Sequence, residues 1–348
     1  MPILDPADQS ACERYDAFVR GSGFRSMTQD RAWARVKQGW GSEQVYVERD
    51  GEIVAAMSLL VKRIPGGLSL LYAPRGPVCD PGDLDLMQEL VAEAAPVARR
   101  HRAFLLTMDP AVPYTAELDA RLRSTGWAVR NRETPAEDLI QPRYAMILHF
   151  EDHDEESIMS KFKNKTRTMI RSSRRKGVDT VWGTDEQMMR QFYDLYVETT
   201  RRKGLNPREY SYFTRIRDAF PGTRVYLAQH EGDVLGAGLT VDYEGRLSYL
   251  YAGSADVKRN LNPNHLMNYD MIRWGISTGG EWYDFGGVFR LDESDGLYTF
   301  KNAFCRTDGP TEYIGEIDVV YRRLPAALYR RVLPRVQRLR RSLAERRS

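Results

Sequence analysis

A chain of 348 residues, 42% hydrophobic and 28% charged, carries enough apolar material for two folded domains and too much for a disordered chain. No apolar run is long enough to cross a bilayer, and the N-terminus lacks a basic start followed by an apolar stretch, so a cytoplasmic protein is expected. Cys12, Cys79 and Cys305 have no paired spacing and the five histidines are scattered, which argues against a disulfide framework and against a metal centre.

In chain order, Arg31 to Lys37 read as helical, between Trp33 and Trp40. Two strands follow, joined by Asp50-Gly51, a dipeptide that favours a tight hairpin between apolar runs. A third strand ends at Tyr72-Ala73, Asp83 to His101 has helical periodicity, and a fourth strand reaches Asp109. Further on, Ser157 to Lys176 reads as one helix capped by Gly177, and Met188 to Lys203 as another ended by Gly204. Strands over Arg224–His230, Val234–Val241 and Leu247–Ala252 then precede a helix from about Asn264 to Ser277 and a strand through Asp284 to Phe285. Within that last hairpin partner, Tyr249 and Tyr251 alternate with Leu250 and are expected on one side of the strand.

The order of elements is said twice. The run beginning Val45-Tyr46 and crossing Asp50-Gly51 returns, loosely, as the run beginning Val225-Tyr226 and crossing Glu231-Gly232. The period is domain-sized, not that of a stacked repeat, and implies two copies of one α/β (α+β) domain. A strand pair, a third strand, a helix and a return strand form the core of the N-acetyltransferase (GNAT) fold, so two tandem GNAT-like domains are predicted. Their expected limits are 1–150 and 151–320, with a basic helical tail over 321–348. Enzymes of that fold that use coenzyme A cradle its pyrophosphate on bare backbone N–H groups of a Gly-rich turn. Here the matching segment Asp256 to His265 has no glycine and contains Pro263, while Val78 to Asp83 has Gly82 alone beside Asp80 and Asp83. An acetyltransferase is disfavoured, and no cofactor is expected.

Net charge is only +3, but it is unevenly placed. Lys161, Lys163, Lys165, Arg167, Arg171, Arg174, Arg175 and Lys176 fall in a stretch without an acid. The tail from Tyr321 carries ten arginines against Glu345 alone. Such stretches suit phosphate backbones or acidic lipid surfaces, or they are solvated helix faces.

Four segments in order give the chain a specific likeness: Trp33-Ala-Arg-Val-Lys37-Gln-Gly-Trp40, Ala73-Pro-Arg-Gly-Pro77-Val-Cys-Asp80, the basic helix ending Arg174-Arg-Lys-Gly-Val178, and Tyr283-Asp-Phe-Gly-Gly-Val288 leading to Asp295-Gly-Leu-Tyr-Thr-Phe-Lys301-Asn-Ala-Phe304. Together they resemble the Fem-type (FemABX) aminoacyltransferases of the peptidoglycan cross-bridge. The resemblance implies paired GNAT-like domains and transfer of an amino acid from aminoacyl-tRNA to a side-chain amine of the stem peptide. It is closest to the short form, without the long coiled-coil arm, which acts on UDP-MurNAc-pentapeptide. Related short enzymes act on lipid-linked precursors or on antibiotic intermediates, so the acceptor stays open.

By the same resemblance, Lys37 matches a lysine that holds the nucleotide diphosphate, within the segment that ends at Trp40. Arg208 and Tyr212 match an arginine and a tyrosine that contact it, with Arg215 competing for the arginine's place. An Arg fork with a Lys point charge suits a diphosphate. Asp109 corresponds to an acid at the acceptor end, with turn formation beside Pro110 as its rival role. Tyr251 resembles a site tyrosine, and Phe300 and Lys301 the cleft-lining pair at the reaction centre. A lysine among aromatic and small residues is costly to keep unless it meets an anion.

Aminoacyl-tRNA is an activated ester, so direct attack by the acceptor amine suffices and no acyl-enzyme nucleophile is needed. Asp109 or a substrate carboxylate would take the amine proton, and Lys301 would meet the oxyanion or the departing ribose oxygen. The basic stretch Lys161 to Lys176 is the candidate tRNA contact. Leu324, Leu328, Val332, Val336 and Leu339 follow helical spacing among arginines, with Pro325 and Pro334 interrupting, so the tail either lies on an anionic membrane or extends the tRNA patch. The rival functions are an aminoacyl-tRNA-dependent transferase of antibiotic biosynthesis and a non-catalytic tRNA- or membrane-binding protein. The reaction is expected where the two copies face each other.

Overall fold

The computed structural model describes residues 3–331, which divide into two units. In the first, α1 (Gln9–Gly21) and the single turn α2 (Trp33–Val36) lead into an antiparallel meander of β1 (Gly41–Arg49), β2 (Glu52–Ile64) and β3 (Leu68–Ala73). Asp50 and Gly51 both adopt positive φ, as the predicted two-residue hairpin requires. Helix α3 (Leu84–Arg100) starts at an Asp83 cap and crosses over so that β4 (Ala103–Met108) runs parallel to β3. Its stripe Leu86, Leu90, Ala94 and Val97 is buried among Val45, Met57, Leu71 and Leu106 of the sheet. Helix α4 (Ala116–Ser124) and β5 (Ala128–Arg130) follow.

The second unit begins with β6 (Tyr144–His149), α5 (Glu155–Lys161), α6 (Asn164–Arg175), β7 (Asp179–Gly183), α7 (Glu186–Arg202) and α8 (Tyr210–Ala219). A second meander comprises β8 (Thr223–His230), β9 (Asp233–Tyr243) and β10 (Arg246–Ser254). Helix α9 (Pro263–Ser277) then carries the chain to β11 (Trp282–Val288), parallel to β10, followed by α10 (Gly296–Phe304) and β12 (Pro310–Glu312). The strand order is β12-β6-β11-β10-β9-β8-β7. Each unit thus contains the same meander, crossover helix and parallel return strand, so the repeat is an architectural one.

The first sheet is finished from the far end of the chain. Strand β13 (Glu316–Val320) lies between β4 and β5, antiparallel to both, in the order β1-β2-β3-β4-β13-β5. Without it the fully buried β4 would present an unpaired edge. Buried charges fix the insertion: Thr107 Oγ1 and Arg330 Nη2 donate to the two oxygens of Asp318 at 2.6 and 2.9 Å, and Arg130 meets Glu316 at 2.7 Å. Among the described residues the first unit therefore comprises 3–143 with 312–331 and the second Tyr144–Thr311, against expected limits at 150 and 320.

The helix expected over 157–176 is two. Phe162 and Lys163 are extended, and the Phe162 ring is buried 5.1 Å from Phe304 while Lys163 N bonds Ala303 O at 2.8 Å. Anchoring one aromatic in the core costs the helix a turn there. Only β7 separates α6 from α7, so no long arm interrupts this region. The tail is helical over 323–331, with Pro325 in its first turn where a missing N–H is harmless. Val332, Val336, Leu339 and the arginines from Arg335 onward lie outside the described residues.

Candidate active site

Strands β10 and β11 pair only from Arg246 opposite Trp282 to Ser248 opposite Asp284. Beyond that point both are irregular, β10 between Tyr249 and Tyr251, β11 between Asp284 and Gly287. In the first unit β3 and β4 stay paired to their ends, Ala73 opposite Met108. The fork is thus a property of the second copy alone. The sequence cause in β11 is Asp284-Phe-Gly-Gly: Asp284 Oδ1 accepts from Gly286 N at 2.7 Å, and Gly286 takes φ +79°, which a side chain would resist.

That bulge builds the seat of Lys301. Asp295 caps α10 through Leu297 N and Tyr298 N, and Phe304 anchors it 5.1 Å from Phe285. On this helix Lys301 is 8% exposed, and its Nζ donates to Gly287 O at 3.0 Å. Burial pulls its pKa down to about 8; the Asp284 charge opposes the fall, and Lys203 at the end of α7 reinforces it. Lys301 is thus a cation held at a cost, with a titration close to neutral pH. Phe300 beside it packs edge-on to His265 at 5.1 Å, and burial holds that imidazole neutral with a pKa down to about 4. Asp284 was given no role from the sequence, although the aspartate before paired glycines signals the bulge.

The β10 bulge also corrects the expected alternation. Tyr249 and Tyr251 pair with neighbouring residues Thr240 and Leu239, so the extra residue turns them to opposite faces. Tyr249 stacks on Tyr283 at 6.2 Å, whereas Tyr251 packs edge-on against Tyr196, Tyr212 and Phe213 of α7 and α8. The Tyr251 hydroxyl donates to that of Tyr212 at 3.2 Å. Arg208 lies over the Tyr212 ring at 4.5 Å and Arg215 approaches it at 6.0 Å. Three expected site residues, Arg208, Tyr212 and Tyr251, therefore share one aromatic and cationic cluster, and Arg208 holds the closer place.

In the first unit Asp109 follows β4 and is 2% exposed. Tyr72 OH donates to its Oδ2 at 2.8 Å and Arg75 N to its Oδ1 at 2.6 Å. Burial raises its pKa to about 6 against the lowering charge of Arg75. Its structural partner is the Ala73–Gly76 turn, not a turn at Pro110. Arg75 has φ +53°, and a Cβ at Gly76 would meet buried Gln29, whose amide spans Ser58 and Pro74. The Ala-Pro-Arg-Gly-Pro segment is thus the clamp of that carboxylate. Lys37 caps α2 with Nζ 5.7 Å from the Trp33 ring, and Lys62 covers Trp40 at 5.1 Å.

The basic stretch does not act as one surface. Lys161 is 7% exposed, its ammonium bonded to His149 O at 3.0 Å and Asp308 at 3.1 Å, so it is an internal ion pair. Lys165, Arg171, Arg174 and Arg175 are exposed on α6; Lys163 and Arg167 are half-buried. Arg171, Arg174 and Arg175 line a surface groove of about 930 Å³ whose other wall carries Glu155 and Tyr269. At the turn before α9, Lys258 is paired with Glu231 and Asp233, and Lys258 and Asn262 take left-handed backbone. Two acids are thus held against the segment Asp256 to His265, which contains no glycine.

A sequence model of the FemAB family matches residues 11–231 and 224–332. The UDP-N-acetylmuramoylpentapeptide-lysine N(6)-alanyltransferase of Weissella viridescens is 37% identical over 327 residues, covering 92% of this chain and 96% of that protein. The lipid II:glycine glycyltransferase of Staphylococcus haemolyticus (strain JCSC1435) is 27% identical over 399 aligned residues, 93% of this chain and 95% of its own. That alignment is longer than this chain's 348 residues, so the glycyltransferase carries segments absent here. The crystal structure of FemX superposes with a TM-score of 0.82 at 23% identity, covering 94% of this chain and 99% of that one. A tandem GNAT protein from the clavulanic acid pathway shares the fold more distantly, with a TM-score of 0.55 at 13% identity over 92% of this chain and 97% of that one. Two GNAT-like units, a lysine seated in the fork of the second, and a family match along nearly the whole length give one assignment: the chain belongs to the FemAB family.

Proposed function

We propose that the protein transfers an amino acid from aminoacyl-tRNA to the side-chain amine of a peptidoglycan stem peptide, in the cytoplasm. The observation that carries this reading is the 37% identity along 92% of the chain to an alanyltransferase named for UDP-N-acetylmuramoylpentapeptide-lysine. The site supports it chemically. The donor is already an activated ester, so the enzyme must orient two substrates, accept one proton and meet one developing negative charge. Lys301, desolvated and cationic below about pH 8, is suited to the oxyanion or the departing ribose oxygen. Asp109, ionised above about pH 6, is suited to draw the proton from the acceptor ammonium, each oxygen keeping a lone pair beyond the bond it already accepts.

Lys37 and Trp40, and Arg208 with Tyr212 and Tyr251, are assigned to the acceptor's diphosphate, and Phe300 to the cleft wall beside Lys301. The first unit would serve the acceptor through Lys37 and Asp109. The second would add Arg208, Tyr212 and Tyr251 to that task and would also hold the charged tRNA, with Lys165, Arg167, Arg171, Arg174 and Arg175 of α6 on its phosphates and Lys163 at the margin. The acceptor is either the soluble nucleotide precursor or its lipid-linked form. The test is turnover with UDP-MurNAc-pentapeptide and charged tRNA for wild type and Lys301→Met. Turnover should fall steeply while acceptor affinity stays near normal; an equal loss of acceptor binding would remove Lys301 from the chemical step.

A further inference from the structure

The helix at 323–331 is docked on one face and open on the other. Ala326 is buried with Leu70, Phe104 and Leu105, the Tyr329 ring meets Phe104 edge-on at 5.4 Å, and Arg330 is tied to Asp318. One turn apart on the opposite side stand Leu324 and Leu328, 86% and 64% exposed. A single exposed leucine is ordinary; two stacked at i and i+4 on a helix packed down by its other face form a surface. Arg322, Arg323 and Arg331 flank them, all exposed, and from Val319 to Arg331 there is no acidic residue.

We propose that this face seats the protein on an anionic lipid surface, the leucines entering the acyl boundary and the arginines meeting the headgroups. The combination decides between occupants. Phosphate backbones would use the arginines but gain nothing from bare aliphatic side chains. A second copy would use the leucines but set one arginine cluster against another. Of these three occupants, an anionic bilayer surface alone satisfies both halves of the face. Attachment of this kind is reversible, because two leucines and a few charges are a weak anchor. It stands apart from the proposed reaction, since it needs neither donor nor acceptor.

The experiment is flotation of the full chain with phosphatidylcholine vesicles, with and without phosphatidylglycerol, over a range of salt. Wild type should float only with the anionic vesicles and release as salt rises. Leu324→Ser/Leu328→Ser should weaken binding at least about tenfold, the value for burying half of each leucine. Arg322→Gln/Arg323→Gln should weaken it and flatten the salt dependence. Thermal melting of these surface variants should match wild type. Four results would each overturn the proposal: no flotation of wild type, equal flotation with phosphatidylcholine alone, undiminished binding by the leucine pair, or a dimer in light scattering that the leucine pair disperses. Loss of charged-tRNA binding by the leucine pair, to the same degree as vesicle binding, would assign the face to RNA instead.

Discussion

Replacing Lys301 by methionine should make the protein more stable and inactive at once. The Lys301 ammonium is nearly buried, and its pKa falls from an ordinary 10.5 to about 8. Such a depression corresponds to ~3 kcal/mol against the charged form in the folded state. The sign follows from proton counts. Between about pH 8 and 10.5 the unfolded chain holds this proton and the folded one does not, so the folded state is penalised fully below pH 8 and progressively less as pH rises through 10.5. Methionine fills a similar volume, carries no charge and forfeits the bond to Gly287 O, leaving a net gain on the order of 1–3 kcal/mol at pH 7. Urea unfolding of wild type and Lys301→Met at pH 7 and at pH 10 measures it, with a fluorescence signal from the second unit. The variant should have the higher midpoint at pH 7 and a much smaller advantage at pH 10. A variant less stable than wild type at pH 7, or an advantage that ignores pH, would refute the idea of a cation held at a cost.

The rate of transfer should be bell-shaped in pH, rising as Asp109 ionises near 6 and falling as Lys301 loses its proton near 8. In Lys301→Arg, whatever activity remains should keep the acid limb and lose the alkaline one. Lys161→Ala should destabilise the second unit by about 3–5 kcal/mol, because it leaves Asp308 buried beside a missing partner, while the salt slope of tRNA binding stays as in wild type. Arg171→Gln/Arg175→Gln should do the reverse: near-normal melting and a slope shallower by one to two, read from binding titrations at several salt concentrations. A chain ending at Thr311 should lose the first unit's cooperative melting, since β4 then lacks β13; an unchanged melt would contradict that strand order.

What the sequence disclosed was what repeats or follows local chemistry. The Asp50-Gly51 hairpin, the helix expected over Asp83 to His101, the second meander and the helix ending at Ser277 all stand where period and turn chemistry put them. What it concealed was set by distant contacts. Nothing near Glu316 marks it as the partner of a strand two hundred residues earlier, and nothing near Phe162 marks the helix break that Phe304 and Ala303 impose. Charge counting placed Lys161 with its basic neighbours, because a run of like charges does not reveal which member faces Asp308. At the site, Lys301 stood out as a lysine among aromatics. The two bulges that open the fork, and that turn Tyr249 away from Tyr251, depend on strand pairing that a single chain's period cannot display. Asp109 was legible as a position but not as the carboxylate that the Arg75 backbone N–H clamps.

The most direct measurement is the mass of the acceptor after incubation with this protein. UDP-MurNAc-pentapeptide, and separately its lipid-linked form, would be mixed with a pool of charged tRNAs and read by mass spectrometry. One acceptor should gain the mass of a single amino-acid residue, with RNase-treated donor and Lys301→Met giving none or nearly none. No mass gain on either acceptor, or a gain that free amino acid and ATP support after RNase treatment, would contradict aminoacyl-tRNA-dependent transfer.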